Sequence, residues 1–210
     1  EMMKIRDVTA RPASMAIAVS GRWMEQHPGD LDWLIGIQKE KKLDVIWVNH
    51  SYHHHYARKR PLRANFMLTK GTDIEHEVLD TERLMIEKGV IPSVFFRFPG
   101  LVSNTRIFEA ITAYGLIPLG SDAWLGKNQW PMPGSIVLVH GTGNEPVGIR
   151  RFVRLMERCR RAVTNGTVRL GNLNASAAAL AGSFRMARAR PNQGTQRHGS
   201  PAHSSIRRIP

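Results

Sequence analysis

A single cysteine, Cys159, stands in a chain of 210 residues. That scarcity excludes an intrachain disulfide and any cysteine-based zinc cluster. A metal would have to be held by histidine and carboxylate. No uninterrupted apolar stretch approaches the roughly 20 residues a bilayer-spanning helix needs, and Glu1–Arg11 lacks the apolar segment of a signal peptide. The sequence therefore specifies neither a membrane span nor an address. Lysine is absent beyond Lys127, and acid nearly disappears near the C-terminus: residues 151–210 carry 12 Arg and only Glu157, whereas residues 1–150 carry 18 Lys and Arg against 16 Asp and Glu. The net charge of +13 is thus lodged almost wholly in the C-terminal stretch. From residue 162 onward Phe184 is the only aromatic available for base stacking, so no specific nucleic-acid partner is expected, only nonspecific attraction through an Arg-rich tail.

Apolar runs of strand length recur through the rest of the chain: Met15–Val19, Asp44–Asn49, Ser93–Phe96, Leu116–Gly120 and Ser135–Val139. Amphipathic stretches separate most of them. Leu31, Leu34, Ile35 and Ile37, following His27-Pro28-Gly29-Asp30, predict a helix to about Lys42. Ile74, Val78, Leu79 and Met85 predict another from Thr72 to about Lys88, with Thr72 and Glu75 at capping-box spacing and Gly89 at its end. Asn104–Tyr114, closed by Gly115, and Val147–Arg161 predict two more. The alternation indicates a parallel α/β sheet or barrel, whose active sites form at the C-terminal ends of the strands. His50, Arg97, Asp122 and His140 all stand at or beside such ends. From about residue 162 the periodicity fades into Ala, Ser, Gly, Arg and Pro. We therefore expect a folded region over residues 1–161 and a basic, disordered tail over 162–210, with a turn or two of helix over Asn174–Ala181. The abrupt loss of Lys and acids is also what a shifted reading frame would produce.

The residues at these strand ends carry usable chemistry. In His50-Ser51-Tyr52-His53-His54 the outer histidines are four apart, a spacing that lets two imidazoles on a helical turn bind one Zn²⁺ at about 2.0–2.1 Å. Taken alone, a histidine-rich loop is more often simply solvated. In Arg97-Phe98-Pro99-Gly100 the guanidinium can orient a carboxylate or steady developing negative charge, although an outward Arg before a Pro-Gly turn is the commoner outcome. Asp122 is a candidate partner for that arginine or a capping residue, and Trp124 an aromatic wall or a core side chain. His140 can protonate a leaving amine near neutral pH, or be a structural histidine.

The order and spacing of these pieces, more than any one of them, resemble the polysaccharide deacetylase (NodB-homology) family over roughly residues 12–155. The matching elements are HSYHH (His50–His54), RFPG (Arg97–Gly100), Asp122 with Trp124, and LVH (Leu138–His140). AIAVSGRW (Ala16–Trp23) is similar to the family's second strand and following turn. The resemblance implies a distorted (β/α) barrel and a divalent metal, usually zinc, serving removal of N-acetyl or related acyl groups from a carbohydrate substrate. It further implies that His50 and His54 are metal ligands, that Arg97 with Asp122 tunes the active-site carboxylate, that His140 is the general acid, and that Trp124 and Pro99 border the substrate.

One departure is expected to matter. Family members carry a Thr-Phe-Asp-Asp type motif on the strand before the one at Met15–Val19, its first Asp the catalytic base and its second the third metal ligand. No such pair occurs here: Glu1 and Asp7 are the only carboxylates upstream, and the neighbours of Asp7 do not match. The expected architecture is therefore an incomplete (β/α) barrel without its first strand, with an exposed sheet edge and weakened zinc binding. Little or no turnover is expected unless the Asp pair comes from another chain or a longer product. The alternative is a non-catalytic carbohydrate-binding pseudoenzyme that keeps the groove and its aromatic walls.

Overall fold

The computed structural model describes residues 12–141 and 143–189. It divides into two compact units after Ser176. The first unit is built on a four-stranded parallel sheet of β1 (Ala13–Val19), β2 (Leu43–Asn49), β3 (Pro92–Phe96) and β4 (Ile117–Pro118), adjacent in chain order. Sequential order without reversal is the ordering of a (β/α) barrel, whereas doubly wound sheets reverse at a switch point. A second parallel pair, β5 (Ala123–Trp124) with β6 (Val137–Leu138), stands apart from that sheet, so no closed barrel forms among the described residues.

β2 is nearly an unbroken apolar run because both of its faces are covered. Val45 and Trp47 enter one core with Leu31, Leu34 and Ile37, and Ile46 and Val48 are buried as well. β1 pairs with it in full register, from Ala13 opposite Leu43 to Val19 opposite Asn49. Between Trp47 and Asn49 the β2–β3 register shifts, and the Ser93 hydroxyl donates to the Trp47 carbonyl at 2.6 Å.

The helices cover the sheet for sequence-local reasons. α1 (Gly21–Gln26) is capped by Ser20, whose hydroxyl accepts from Trp23 N at 3.3 Å. α2 (Pro28–Lys39) starts on a proline, which suits its first turn, and buries Leu31, Leu34 and Ile37. Next come a π-helical turn, His76–Asp80, and α3 (Thr81–Glu87). The cap of this segment is Asp73, which accepts from His76 N at 3.2 Å. Thr72, the expected cap, instead donates to the Thr69 carbonyl and closes the preceding turn. α4 (Thr105–Ala113) is capped by Asn104 and buries Ile107 and Ile111, four apart on one face, in a second core with Val78, Phe96, Phe98 and Leu116. Gly115, at φ +77°, ends it.

α5 (Pro146–Thr164) packs on the short 3₁₀ turn Leu125–Lys127, where Arg151 donates to the Leu125 and Gly126 carbonyls at 2.7 and 3.0 Å. Within the basic C-terminal stretch, α6 spans Leu173–Ala189 and crosses into the second unit, longer than the turn or two expected there. Alanine is the strongest helix former and this segment is rich in it. The remainder of the expected tail, 190–210, lies outside the described residues, as does Asp7. No described helix is long and apolar enough to cross a membrane.

The second core makes a direct test of this packing. Ile111→Ala is expected to cost about 2–5 kcal/mol of unfolding free energy, because it empties a fully buried site. Exposed Glu109→Ala on the same helix should stay within about 0.5 kcal/mol. Chemical denaturation of the two variants measures the difference, and equal losses would contradict the burial described here.

Candidate active site

The C-terminal end of β2 opens into the loop 50–55. Asn49, fully buried, accepts Ser51 N on Oδ1 at 3.0 Å and donates from Nδ2 to the Val78 carbonyl at 2.9 Å. Glu77 holds the next residues: one carboxylate oxygen accepts Tyr52 N (2.9 Å) and His53 N (3.0 Å), and the other accepts the His53 ring Nδ1 (2.7 Å). Ser51 and His54 adopt positive φ of 67° and 47°. The loop thereby folds back so that the His50 and His54 rings meet, with centroids 4.8 Å apart.

His50 Nδ1 lies 2.8 Å from the Arg97 carbonyl. A carbonyl only accepts, so Nδ1 carries the proton and Nε2 keeps its lone pair. Burial pulls the His50 pKa from 6.5 to about 3, and the neighbouring His54, Arg97 and His140 push it the same way against the carbonyl bond. His54 is lowered as well, first by burial and then by His140. Both imidazoles are thus neutral at physiological pH, the form that binds metal. His140 influences both, which places it in the same electrostatic neighbourhood.

His140 belongs to the β5–β6 side. Its Nδ1 is 3.0 Å from Glu145 Oε2, which also accepts Trp124 Nε1 at 2.8 Å. The Trp124 and His140 rings meet edge to face at 5.1 Å, and the Lys127 ammonium lies 3.6 Å above the Trp124 ring. Partial burial pulls the Glu145 carboxyl upward, but the His140 and Trp124 hydrogen bonds, with Lys127, hold it below its ordinary value. Gly126 makes this possible, since a Cβ there would collide with the Glu145 carboxylate. The sequence did carry a signal for Glu145: an acidic residue directly before Pro146 at a helix start.

Arg97 is buried, and its guanidinium donates to the Leu119 and Gly120 carbonyls and the Ser121 hydroxyl at 3.4, 3.1 and 3.4 Å. The expected Arg97–Asp122 pair does not form. Asp122 is exposed and takes Ile136 N (2.7 Å) and the Ser135 hydroxyl (3.2 Å), so it ties the approach to β6 and leaves Arg97 to the Leu119 and Gly120 carbonyls just beyond β4. Pro99 is buried at the start of a turn, where it shapes the backbone without presenting a face to solvent. The next residue, Gly100 (φ +63°), lies against the Phe66 ring, and Phe66 packs edge-on to His54 at 5.2 Å.

His50, His54, Arg97 and His140 are therefore brought together, with Trp124 beside His140, while Asp122 and Pro99 serve neighbouring turns. The two-imidazole pair fits a divalent ion: two rings bound through Nε2 to one tetrahedral ion at 2.0–2.1 Å have centroids about 5 Å apart. Among the described residues no set of three or more His, Cys, Asp or Glu converges on one point.

No family model matches the sequence. Solved structures do resemble the fold. A family 4 carbohydrate esterase from Bacillus anthracis superposes with a TM-score of 0.59 at 18% identity, over 83% of this chain and 74% of that one. The peptidoglycan deacetylase PdaC of Bacillus subtilis gives 0.57 at 15% identity, over 89% of each chain. A family 4 pseudoenzyme from Bacillus anthracis gives 0.50 at 12% identity, over 75% of this chain and 56% of that one. The architecture is that of the family 4 carbohydrate esterases and peptidoglycan deacetylases, in the form of an incomplete α/β barrel, as the motif order implied.

The depressed His50 pKa has a definite sign. The unfolded chain binds more protons than the folded one below about 6.5, so stability present above that pH is lost as pH falls toward about 3. Chelator-treated protein should lose on the order of 1–2 kcal/mol between pH 7 and pH 5 from this ring alone. His50→Ala should flatten the profile, and an unchanged slope in that variant would show that the ring is not held neutral.

Proposed function

We propose that this chain is a metal-assisted hydrolase of carbon–nitrogen bonds that removes N-acetyl groups from a poly- or oligosaccharide. The supporting observation is a pair of neutral imidazoles, 4.8 Å apart, within electrostatic reach of a third whose Nδ1 is engaged by a carboxylate. His50 and His54 would hold a divalent ion, zinc by its preference for imidazole. When bound, such an ion supplies Lewis-acid polarisation of the acyl carbonyl and a more acidic water. The remaining work belongs to the protein. Glu145 engages Nδ1 of His140 and fixes the ring's orientation, which leaves Nε2 to serve as the proton-transfer atom. As water adds to the acyl carbon and the C–N bond breaks, His140 gives a proton to the departing sugar amine and takes back the proton shed by the water, leaving acetate. Trp124 orients the His140 ring edge-on, and Arg97 places positive charge beside the His50 ring. The likeness to solved carbohydrate esterases and peptidoglycan deacetylases supports the substrate class through the fold alone.

A second reading, saccharide binding without turnover, is favoured by one observation. No carboxylate among the described residues takes a hydrogen bond from His50, His54 or Arg97, so no acidic side chain there is engaged with the pair that would hold the ion. Acetate release from N-acetylglucosamine oligomers with added Zn²⁺ decides between the two. Hydrolysis should be lost on chelation and fall by roughly 10²–10⁴-fold in His140→Ala. Oligomer binding that persists after chelation and in His50→Ala, with no acetate released, would establish the binding protein instead.

A further inference from the structure

The π-helical turn that carries Glu77 also carries His76, whose ring centroid lies 5.0 Å from that of His53. The proposed hydrolysis uses neither ring. Each gives its Nδ1 to a carboxylate of the same turn: His53 to Glu77 at 2.7 Å, His76 to Asp80. A carboxylate only accepts, so each Nδ1 is the donating nitrogen and Nε2 is the one left to meet another partner. Support of this kind, a carboxylate behind the nitrogen that faces away, is what metal-ligating histidines almost always have.

The surroundings favour a ligand over a closed core cluster. Tyr52 packs against both rings, at 5.2 Å from His53 and 4.8 Å from His76, and its hydroxyl is tied to Glu25 at 2.9 Å. It is therefore a wall and not a competing donor. Gly21 leaves the space in which the Tyr52 ring lies. The His53 and His76 side chains remain 35% and 38% exposed, and His53 also lines a cleft of about 240 Å³ with Arg22, His55, Phe66, Lys70 and Glu77. Arg83 is engaged by Asp80. The separation of the rings also allows a shared ion. It equals the spacing of about 5 Å set by two imidazoles on one tetrahedral ion, and it nearly repeats the 4.8 Å of the His50–His54 pair.

We propose that His53 and His76 form a second divalent-metal site, distinct from the His50–His54 pair, for a borderline ion such as Zn²⁺, Ni²⁺ or Cu²⁺, with solvent completing the coordination. Occupancy would tie the loop 50–55 to the π-helical turn through a second bond beside the Glu77 clamp. The site stands independently of the hydrolase reading, since none of its residues takes part in that reaction.

Zinc titration of the chelator-stripped chain against a colorimetric indicator tests it. The wild type is expected to show two sites, and His50→Ala to keep one of them. His76→Ala should weaken that remaining site at least tenfold. Asp80→Asn, which leaves both rings in place, should weaken it about 10- to 100-fold. His55→Ala should leave it unchanged. A single site lost entirely in His50→Ala would overturn the proposal. So would an isotherm unaltered by His76→Ala, or equal losses from His55→Ala and His76→Ala, the mark of a diffuse histidine patch. Circular dichroism of each variant reports folding, and the half-buried position of His76, outside both hydrophobic cores, makes its loss tolerable.

Discussion

One buried carboxylate, Glu77, sets the shape of the loop on which the site depends. Its two oxygens take two consecutive backbone N–H groups and one imidazole, so the chain at Tyr52 and His53 is pinned to the helix beneath it. The pin matters because the loop is strained. Ser51 and His54 lie at positive φ, a conformation that costs of order 1–3 kcal/mol per non-glycine residue and persists only when neighbouring contacts over-determine it. Asn49 supplies the second restraint by capping Ser51 N while its own amide holds the Val78 carbonyl. Both restraints reach the loop from the π-helical turn or the strand below it, and π turns recur at functional sites because the extra residue re-aims side chains. Here it places Glu77, Val78 and His76 where a regular helix would not.

Much of the scaffold was legible in the sequence because covered strands read as continuous apolar runs. Asp44–Asn49 and Ser93–Phe96 match β2 and β3 to within a residue or so. The ends of α4 are legible because Asn104 and Gly115 act locally, and the helix expected over Val147–Arg161 is α5. Elements fixed by tertiary contacts were not. Thr72 and Glu75 fit a capping box, yet Asp73, one residue on, makes the cap, because Thr72 is drawn back to Thr69. A π turn has no periodic signature of its own in a segment this short. Likewise Leu116–Gly120 and Ser135–Val139 read as equal members of one sheet, whereas only Val137–Leu138 pairs in the second run, and its partner is Ala123–Trp124.

The site was legible in the same uneven way. His50, His54, Arg97 and His140 are brought together because each follows a strand whose direction is set by the sheet, and strand order could be read. The Arg97–Asp122 pair could not be decided from sequence, since both groups sit near strand ends and only the turn at Ser135–Ile136 reveals where Asp122 is needed. The Glu145–His140 contact is not legible in the sequence because the space for the Glu145 carboxylate depends on a glycine, Gly126, that is remote in sequence and contributes there by the Cβ it lacks. The β5–β6 pair and α5 thus add to the site a hydrogen-bonded trio, Trp124, Glu145 and His140, that spacing within a single motif does not show.

Two deficits remain in this arrangement, and they have a common remedy. Arg97 is a permanently charged group withdrawn from solvent, and its partners among the described residues are two carbonyls and a hydroxyl. Buried cations ordinarily have an anionic partner, because neutral acceptors offset desolvation only in part. The His50–His54 pair, for its part, offers two neutral ligands, and a catalytic zinc usually has three protein ligands, often with a carboxylate among them. His50 is bonded to the Arg97 carbonyl, so the two deficits lie side by side. A single carboxylate entering between the guanidinium and the two imidazoles would balance both. A carboxylate from protein would complete a hydrolase, whereas one carried by a saccharide would bind without being turned over. The chemistry of this rim therefore turns on the source of one negative charge.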